Sequence, residues 1–238
     1  MKDSLENPAG RESAEMIIVF FGPPGSGKGT QAHALEKQIK NLVHVSMGDL
    51  LRQEIASNSE LGRQVQAKVQ AGELPEDDIV IQLVVDIVKK NAKKDIVFDG
   101  FPRTLKQAIA FDALLGVETL KVDVVFDFDV DVHVLMERIS GRYVCRECGA
   151  VYHEKSKKPK VDSICDQCGS CHFDRRPDDT VRVLETRLKV YQEQTLPAKA
   201  YYGEKGILKR IDASLSQNEV TSYINAALFE AGLIRRGE

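Results

Sequence analysis

The chain has 238 residues, with 33 Lys or Arg against 36 Asp or Glu, a net charge of −3. That balance excludes the whole-surface positive field of a general nucleic-acid binder, leaving room only for a local basic patch. With 42% apolar and 29% charged residues, the composition is that of a globular domain with a true core, neither fibrous nor disordered.

Residues 1–15, MKDSLENPAGRESAE, are polar and of mixed charge. They lack the apolar stretch of a secretory signal and the Arg-rich, acid-poor character of a transit peptide. They read as a flexible tail on a cytoplasmic protein. No run approaches the roughly 20 apolar residues of a membrane helix. Met16 to Phe21 (MIIVFF) is continuously apolar, the mark of a strand buried on both faces. A glycine-rich loop follows, then a polar helix to about Gln38. A short strand over Val43–Val45 precedes helices over 49–58 and 60–71. Pro75 is expected to open a helix bearing Ile79, Leu83, Ile87 and Val88 at helical spacing.

Ile96 to Phe98 predicts the next strand, followed by a DGFPR loop and a helix to Leu115. A strand over 122–128 ends in Asp residues that can cap a helix carrying Val134, Leu135 and Ile139. Residues 143–178 break the alternation. A helix over 180–202, a strand over 207–211 and a last helix over 215–233 complete the chain, with Ser216 and Glu219 at capping-box spacing. Repeated βα units of this kind build a doubly wound parallel sheet with helices on both faces, an α/β fold.

Gly22-Pro-Pro-Gly-Ser-Gly-Lys28 fits G-x4-G-K between a strand and a helix, the setting of a phosphate-binding loop. Glycines turn backbone N–H groups inward, the helix adds its positive end, and Lys28 supplies a point charge. Gly29 stands where Ser or Thr usually ligates Mg²⁺, and Thr30 comes one place later. That departure argues against a GTPase or a motor ATPase and leaves the metal to phosphates and water.

Arginines gather near the expected loop ends. Arg103 follows Asp99-Gly-Phe-Pro at the end of a strand, where α/β sheets bind ligands. Arg138 and Arg142 share one helix face. Arg176 precedes Asp178 and Asp179, with Arg187 on the following helix. Phosphoryl transfer needs such cations, because it is mostly positioning and charge stabilisation. The five histidines are scattered and read as structural or exposed.

Cys145-x2-Cys148 and Cys165-x2-Cys168 are two CxxCG knuckles, the spacing of a closed tetrahedral Zn²⁺ site. Few apolar residues lie between Cys145 and Arg175. Ordering each residue costs roughly 1–2 kcal/mol, whereas a structural Zn²⁺ contributes on the order of 10–16 kcal/mol. Cys171 is a spare thiol that also stands C-x2-C from Cys168. Lys155 to Lys160 is a basic run read as a solvated face.

GPPGSGKGTQ at 22–31, SMGDLLR at 46–52, DGFPR at 99–103 with Gln107, RISGR at 138–142 and RPDD at 176–179 together resemble adenylate kinases, over residues 16–233. The resemblance implies reversible phosphoryl transfer from MgATP to AMP by a monomer, with ATP, AMP and ADP as partners and neither nucleic acid nor membrane. It implies a core over 16–45, 76–140 and 179–238, an AMP-binding insert over 46–75 and a zinc-bearing lid over 141–178. Gly25, Ser26, Gly27, Lys28, Gly29, Thr30, Arg138 and Arg142 would hold ATP. Val151 and Tyr152 would pack on its adenine, with lid filler as the equal alternative. Met47, Arg52, Glu73, Leu74, Pro75, Gly100, Phe101, Pro102, Arg103, Gln107, Arg176 and Arg187 would form the AMP side. Lys28, Arg103, Arg138, Arg176 and Arg187 would act on the transferring group. Asp99, Asp178 and Asp179 would orient Mg²⁺-bound water or the arginines.

Met47 departs from the family's frequent Thr and removes a hydroxyl beside the acceptor base. An acceptor such as UMP, CMP or GMP is therefore one alternative, although Gln107 favours AMP. A zinc-ribbon P-loop ATPase that binds nucleic acid is the other.

Overall fold

The computed structural model describes residues 5–6 and 15–236. Apart from Glu15 and a two-residue strand, the tail expected over 1–15 lies outside the described residues. That strand, β1 (Leu5–Glu6), pairs antiparallel with β10 (Arg235–Arg236). The central sheet is made of β2 (Ile17–Phe21), β3 (Leu42–Ser46), β4 (Asp95–Asp99), β5 (Val124–Asp129) and β9 (Leu208–Asp212). All are parallel, in the order β3-β4-β2-β5-β9.

Every residue of β2 is buried. Side chains alternate across the sheet, so one strand feeds two cores. Ile17, Val19 and Phe21 meet Val84 of α4 (Asp77–Lys90), Phe111 of α5 (Leu105–Val117) and Tyr202 of α8 (Leu196–Glu204). Ile18 and Phe20 meet Leu35 of α1 (Lys28–Gln38) and Ile224 of α9 (Gln217–Glu230). The continuous apolar run thus reports helices on both faces, as a doubly wound sheet requires. The last helix begins with the expected capping box between Ser216 and Glu219.

Several boundaries differ from the sequence expectation, each for a local reason. The helix expected from Asp49 starts earlier, as α2 (Met47–Ala56), because the Ser46 hydroxyl caps the Asp49 N–H. Pro75 does not open α4; Glu76 is its N-cap, and two acids, Asp77 and Asp78, begin its first turn. The strand expected from Val122 begins at Val124. Asp131 caps α6 (Val132–Ser140) by accepting from the His133 N–H; the helix stops at Gly141, so Arg142, expected on one helix face with Arg138, begins a strand instead.

The single helix expected over 180–202 is three pieces: α7 (Val181–Val190), a π-helical turn over Tyr191–Thr195, and α8. Pro197 near the start of α8 cannot donate to the helical ladder. Widening the helix just before it accommodates that loss, and π turns recur at functional sites.

The stretch over 143–178, expected to break the alternation and to form a lid over 141–178, holds a small antiparallel sheet: β6 (Arg142–Cys145) flanked by β7 (Val151–His153) and β8 (Phe173–Asp174). Tyr143, Tyr152 and Phe173 stack between its strands and form a core separate from the main one.

The insert after β3 is a helical pair, α2 and α3 (Glu60–Ala71). Their closest approach depends on Gly62, where an added Cβ would stand 2.1 Å from the Glu54 carbonyl oxygen. Backbone cannot yield as a side-chain tip does. Gly62→Ala is expected to cost about 1–3 kcal/mol, lowering the melting temperature by a few to about ten degrees. An unchanged melting curve would contradict this packing.

Candidate active site

β2 ends at Phe21 and the chain turns through Gly22 to Lys28 before α1 begins. Gly25 and Gly27 have φ of 83° and 100°, which side-chain-bearing residues avoid. At Gly25 a Cβ would also meet Ile139 at 2.9 Å. The loop therefore wraps tightly, and Lys28 folds back into it. Its Nζ donates to the carbonyls of Gly22 at 2.8 Å and Pro23 at 2.9 Å. Removal from water lowers the Lys28 ammonium to about 8, with Asp99 opposing the shift and Arg103 and Arg142 adding to it.

A cavity of about 610 Å³ extends from this loop to α2 and α4 on one side and to β7 on the other. Every residue expected on the nucleotide sites lines it except Phe101. The Phe101 ring is buried against Phe98 and Phe111 in the main core, so this side chain faces away from the site. Tyr152 both lines the cavity and packs in the small sheet. Its ring packs inside the small sheet, and its hydroxyl donates to Cys165 Sγ at 3.3 Å and accepts from the Asp166 N–H. Met47 is buried in the main core where it meets the cavity.

The arginines form an arc held by three carboxylates. Asp49 Oδ1 accepts from Arg52 at 2.6 Å and from Arg176 at 2.8 Å. Asp178 accepts from Arg187, and from Arg52 at 3.4 Å. Asp179 takes both the Nε and an Nη of Arg142. Arg138 donates to the carbonyl of Ala213 at 2.8 Å and reaches that of Ser26 at 3.4 Å. Arg103 donates its Nε to Gly100 O at 2.9 Å, while its own carbonyl accepts from Thr195 on the π turn.

Burial lowers Arg103 to about 10, with Arg187 contributing, and lowers Arg176 to about 10, with Arg52 contributing. Burial by itself would raise Asp49, but the Arg176 and Arg52 guanidiniums outweigh it and hold its carboxyl well below the usual range. Asp178 is lowered in the same way by Arg187 and Arg52. A cleft with this surplus of buried cations is built for an anion of several charges.

Sequence reasoning passed over two of these groups as site residues. Asp49 sits three residues before Arg52 on one helix face, and that spacing was the available signal. Asp77 fixes Gln107: the amide Nε2 donates to Asp77 at 2.8 Å, and Oε1 accepts from the Arg103 N–H at 2.8 Å. No local spacing reveals that pair, which lies thirty residues apart.

Asp99 ends β4, 3.8 Å from His44 and 3.2 Å from where a Cβ on Gly29 would stand. Loop and carboxylate therefore approach closely, and a side chain at position 29 would crowd Asp99. Apart from this site, the sulfurs of Cys145, Cys148, Cys165 and Cys168 lie within 4.8 Å of one another. Two of their separations are 3.6 and 3.5 Å. Tetrahedral bonds of about 2.3 Å set sulfurs about 3.8 Å apart, so the set fits a Cys₄ metal site. Burial opposes ionisation of Cys165, yet hydrogen bonds from Tyr152 and the Gln167 and Cys168 amides bring its thiol down to about 6. Cys171 is exposed and outside the set.

A phosphate loop at the end of a central parallel strand, facing an arc of arginines across one cavity, defines a P-loop phosphotransferase. A family model described as "Adenylate kinase" matches residues 20–207. An adenylate kinase of Zymomonas mobilis is 42% identical over 218 residues, covering 91% of this chain and 97% of the relative. One of Paramagnetospirillum magneticum is 42% identical over 214 residues, covering 90% and 98%. One of Hydrogenobaculum is 41% identical over 213 residues, covering 90% and 100%. The chain belongs to the adenylate kinase family. Among the described residues, no helix is long and apolar enough to cross a membrane.

The lowered Lys28 has a measurable consequence. Free Lys28 releases its proton near pH 8, whereas a phosphate bound beside it favours the charged form. Nucleotide binding above pH 8 should take up a proton, and affinity should weaken by up to about tenfold per pH unit. Calorimetry in buffers of different ionisation enthalpy reads this directly. Absence of uptake at pH 8.5 would contradict the assignment.

Proposed function

We propose that the phosphate loop and the arginine arc carry out reversible phosphoryl transfer from MgATP to AMP, yielding two ADP. The observation behind this reading is the single cavity that joins Lys28 at one end to Arg52, Arg103 and Gln107 at the other. ATP lies along Gly25 to Thr30, with Arg138 and Arg142 over its phosphates. AMP places its phosphate on Arg52 and Arg103 and its base toward Gln107 and Met47. The backbone of Glu73, Leu74 and Pro75 closes that end.

Lys28, Arg138, Arg176 and Arg187 stabilise charge on the transferring group as it passes between donor and acceptor oxygens. Asp49, Asp178 and Asp179 hold the guanidiniums in position, and Asp99 orients metal-bound water. Mg²⁺ bound with ATP would supply charge neutralisation at the phosphates. No general base of high strength is needed.

The helical pair within 46–75 and the lid over 141–178 are read as the two pieces that close over the substrates. Closure excludes water and suppresses wasteful hydrolysis. Cys145, Cys148, Cys165 and Cys168 would hold Zn²⁺, which would stabilise the lid apart from the reacting groups. Since the residues of the arc come from one chain, a monomer suffices.

ADP formation from MgATP with AMP, CMP, UMP and GMP in turn, against a control without acceptor, tests the reading. AMP should be preferred, with hydrolysis alone far slower. Acceptor-independent hydrolysis at the same rate would overturn it. Lys28→Met should lower kcat by at least about a hundredfold, the scale of losing one charge-stabilising group, with unchanged circular dichroism. Cys165→Ser should lose bound zinc and several degrees of thermal tolerance while sparing most turnover at room temperature. Unaltered zinc content and melting in that variant would remove the metal assignment.

A further inference from the structure

Two of the histidines read from sequence as scattered come together with an acid. His33 and Glu36 are three residues apart on α1 and share a face. His44 lies on β3, the next strand in the chain. A ring nitrogen of each histidine and a carboxylate oxygen of Glu36 lie within 4.8 Å of one another. His33 Nδ1 and Glu36 Oε2 are 3.3 Å apart. The two imidazole rings meet edge to face with centroids at 4.6 Å. Glu36 is held from its other side, where Oε1 accepts the His44 backbone N–H at 3.2 Å.

One further fact separates this cluster from an ordinary surface ion pair. The His44 side chain is only 5% exposed; its Nε2 is buried and makes no hydrogen bond, its nearest charged neighbour being Asp99 Oδ2 at 3.8 Å. A buried ring nitrogen left unsatisfied is costly unless something else binds it.

We propose that His33, Glu36 and His44 form a second metal site, open to solvent, for a borderline divalent cation of the zinc, cobalt or nickel class. Two imidazoles and a carboxylate are the donors such ions take, and water completes the shell of an open site. Bonds of about 2.0–2.2 Å place tetrahedral donors about 3.3–3.6 Å apart, which the His33–Glu36 pair already meets. His33 and Glu36 are partly exposed and can turn to close the remaining distance, while buried His44 stays fixed. This site differs in kind from the thiolate cluster in the lid. It joins the helix that begins at Lys28 to the strand that ends at Ser46, and so ties the ATP side of the cavity to the AMP side.

The test uses the full chain with one equivalent of Zn²⁺ already added, titrated with Co²⁺. The wild type should take up one further equivalent, with weak visible d–d bands and without the intense near-ultraviolet absorption of cobalt thiolates. Its melting temperature should rise on Co²⁺ addition. His33→Ala and Glu36→Gln keep all the cysteines, and each should weaken that equivalent by at least about tenfold. Both alter partly exposed side chains, and circular dichroism checks that the fold is kept. Equal Co²⁺ uptake by the wild type and both variants would overturn the proposal. So would thiolate absorption from the second equivalent, or no second equivalent at all.

Discussion

Like charges crowded into a buried cleft repel one another, and the layout of this protein follows from how that repulsion is contained. Two unit charges about 4 Å apart interact by about 4 kcal/mol at the effective dielectric of a partly buried site. Arg52, Arg103, Arg142, Arg176, Arg187 and Lys28 all face one cavity. Asp49, Asp178 and Asp179 absorb part of that energy and fix the geometry. They do not neutralise it, and the remainder is what draws in a polyphosphate. A single oxygen of Asp49 serves Arg52 from the helical insert and Arg176 from the far end of the lid. The two segments that frame the cavity therefore meet at one carboxylate.

The sheet carries this arrangement because its strands end together. β2 and β4 are hydrogen-bonded neighbours in register, Phe20 opposite Asp99. The phosphate loop and the DGFPR loop consequently leave the sheet side by side. The π turn adds a third support from behind: Thr195 holds the Arg103 carbonyl, and Tyr191 approaches Asp127 on β5.

Much of this was legible in the chain itself. A continuous apolar run of six residues followed by a glycine-rich loop reads as a strand covered on both faces, and Met16 to Phe21 announced the doubly wound sheet. The phosphate loop was legible because its chemistry is local: glycines, a lysine and the start of a helix are contiguous. The cysteine knuckles were legible for the same reason. What stayed hidden depends on long-range geometry. Phe101 lies between two cavity residues, yet its ring turns inward to Phe98 and Phe111, a choice the backbone makes and the motif does not record. The π turn before Pro197 is a local compromise inside a pattern that otherwise reads as uninterrupted helix. His33 and His44 look unrelated in sequence, and only the return of the chain from α1 to β3 places one ring against the other.

The small sheet at 142–174 has its own packed rings and its own thiolate cluster, and it enters and leaves through adjacent strands. Val144 stands opposite Asp174, and Cys145 opposite Phe173. Its entry and exit strands are thus neighbours, separated by the inter-strand spacing of about 5 Å. A segment with neighbouring ends and a private core is an exchangeable cassette. Its packing and its cysteines are separate from the sheet that carries the phosphate loop. Thermal tolerance and chemistry can then change independently, one through the cassette and the other through the sheet beneath it.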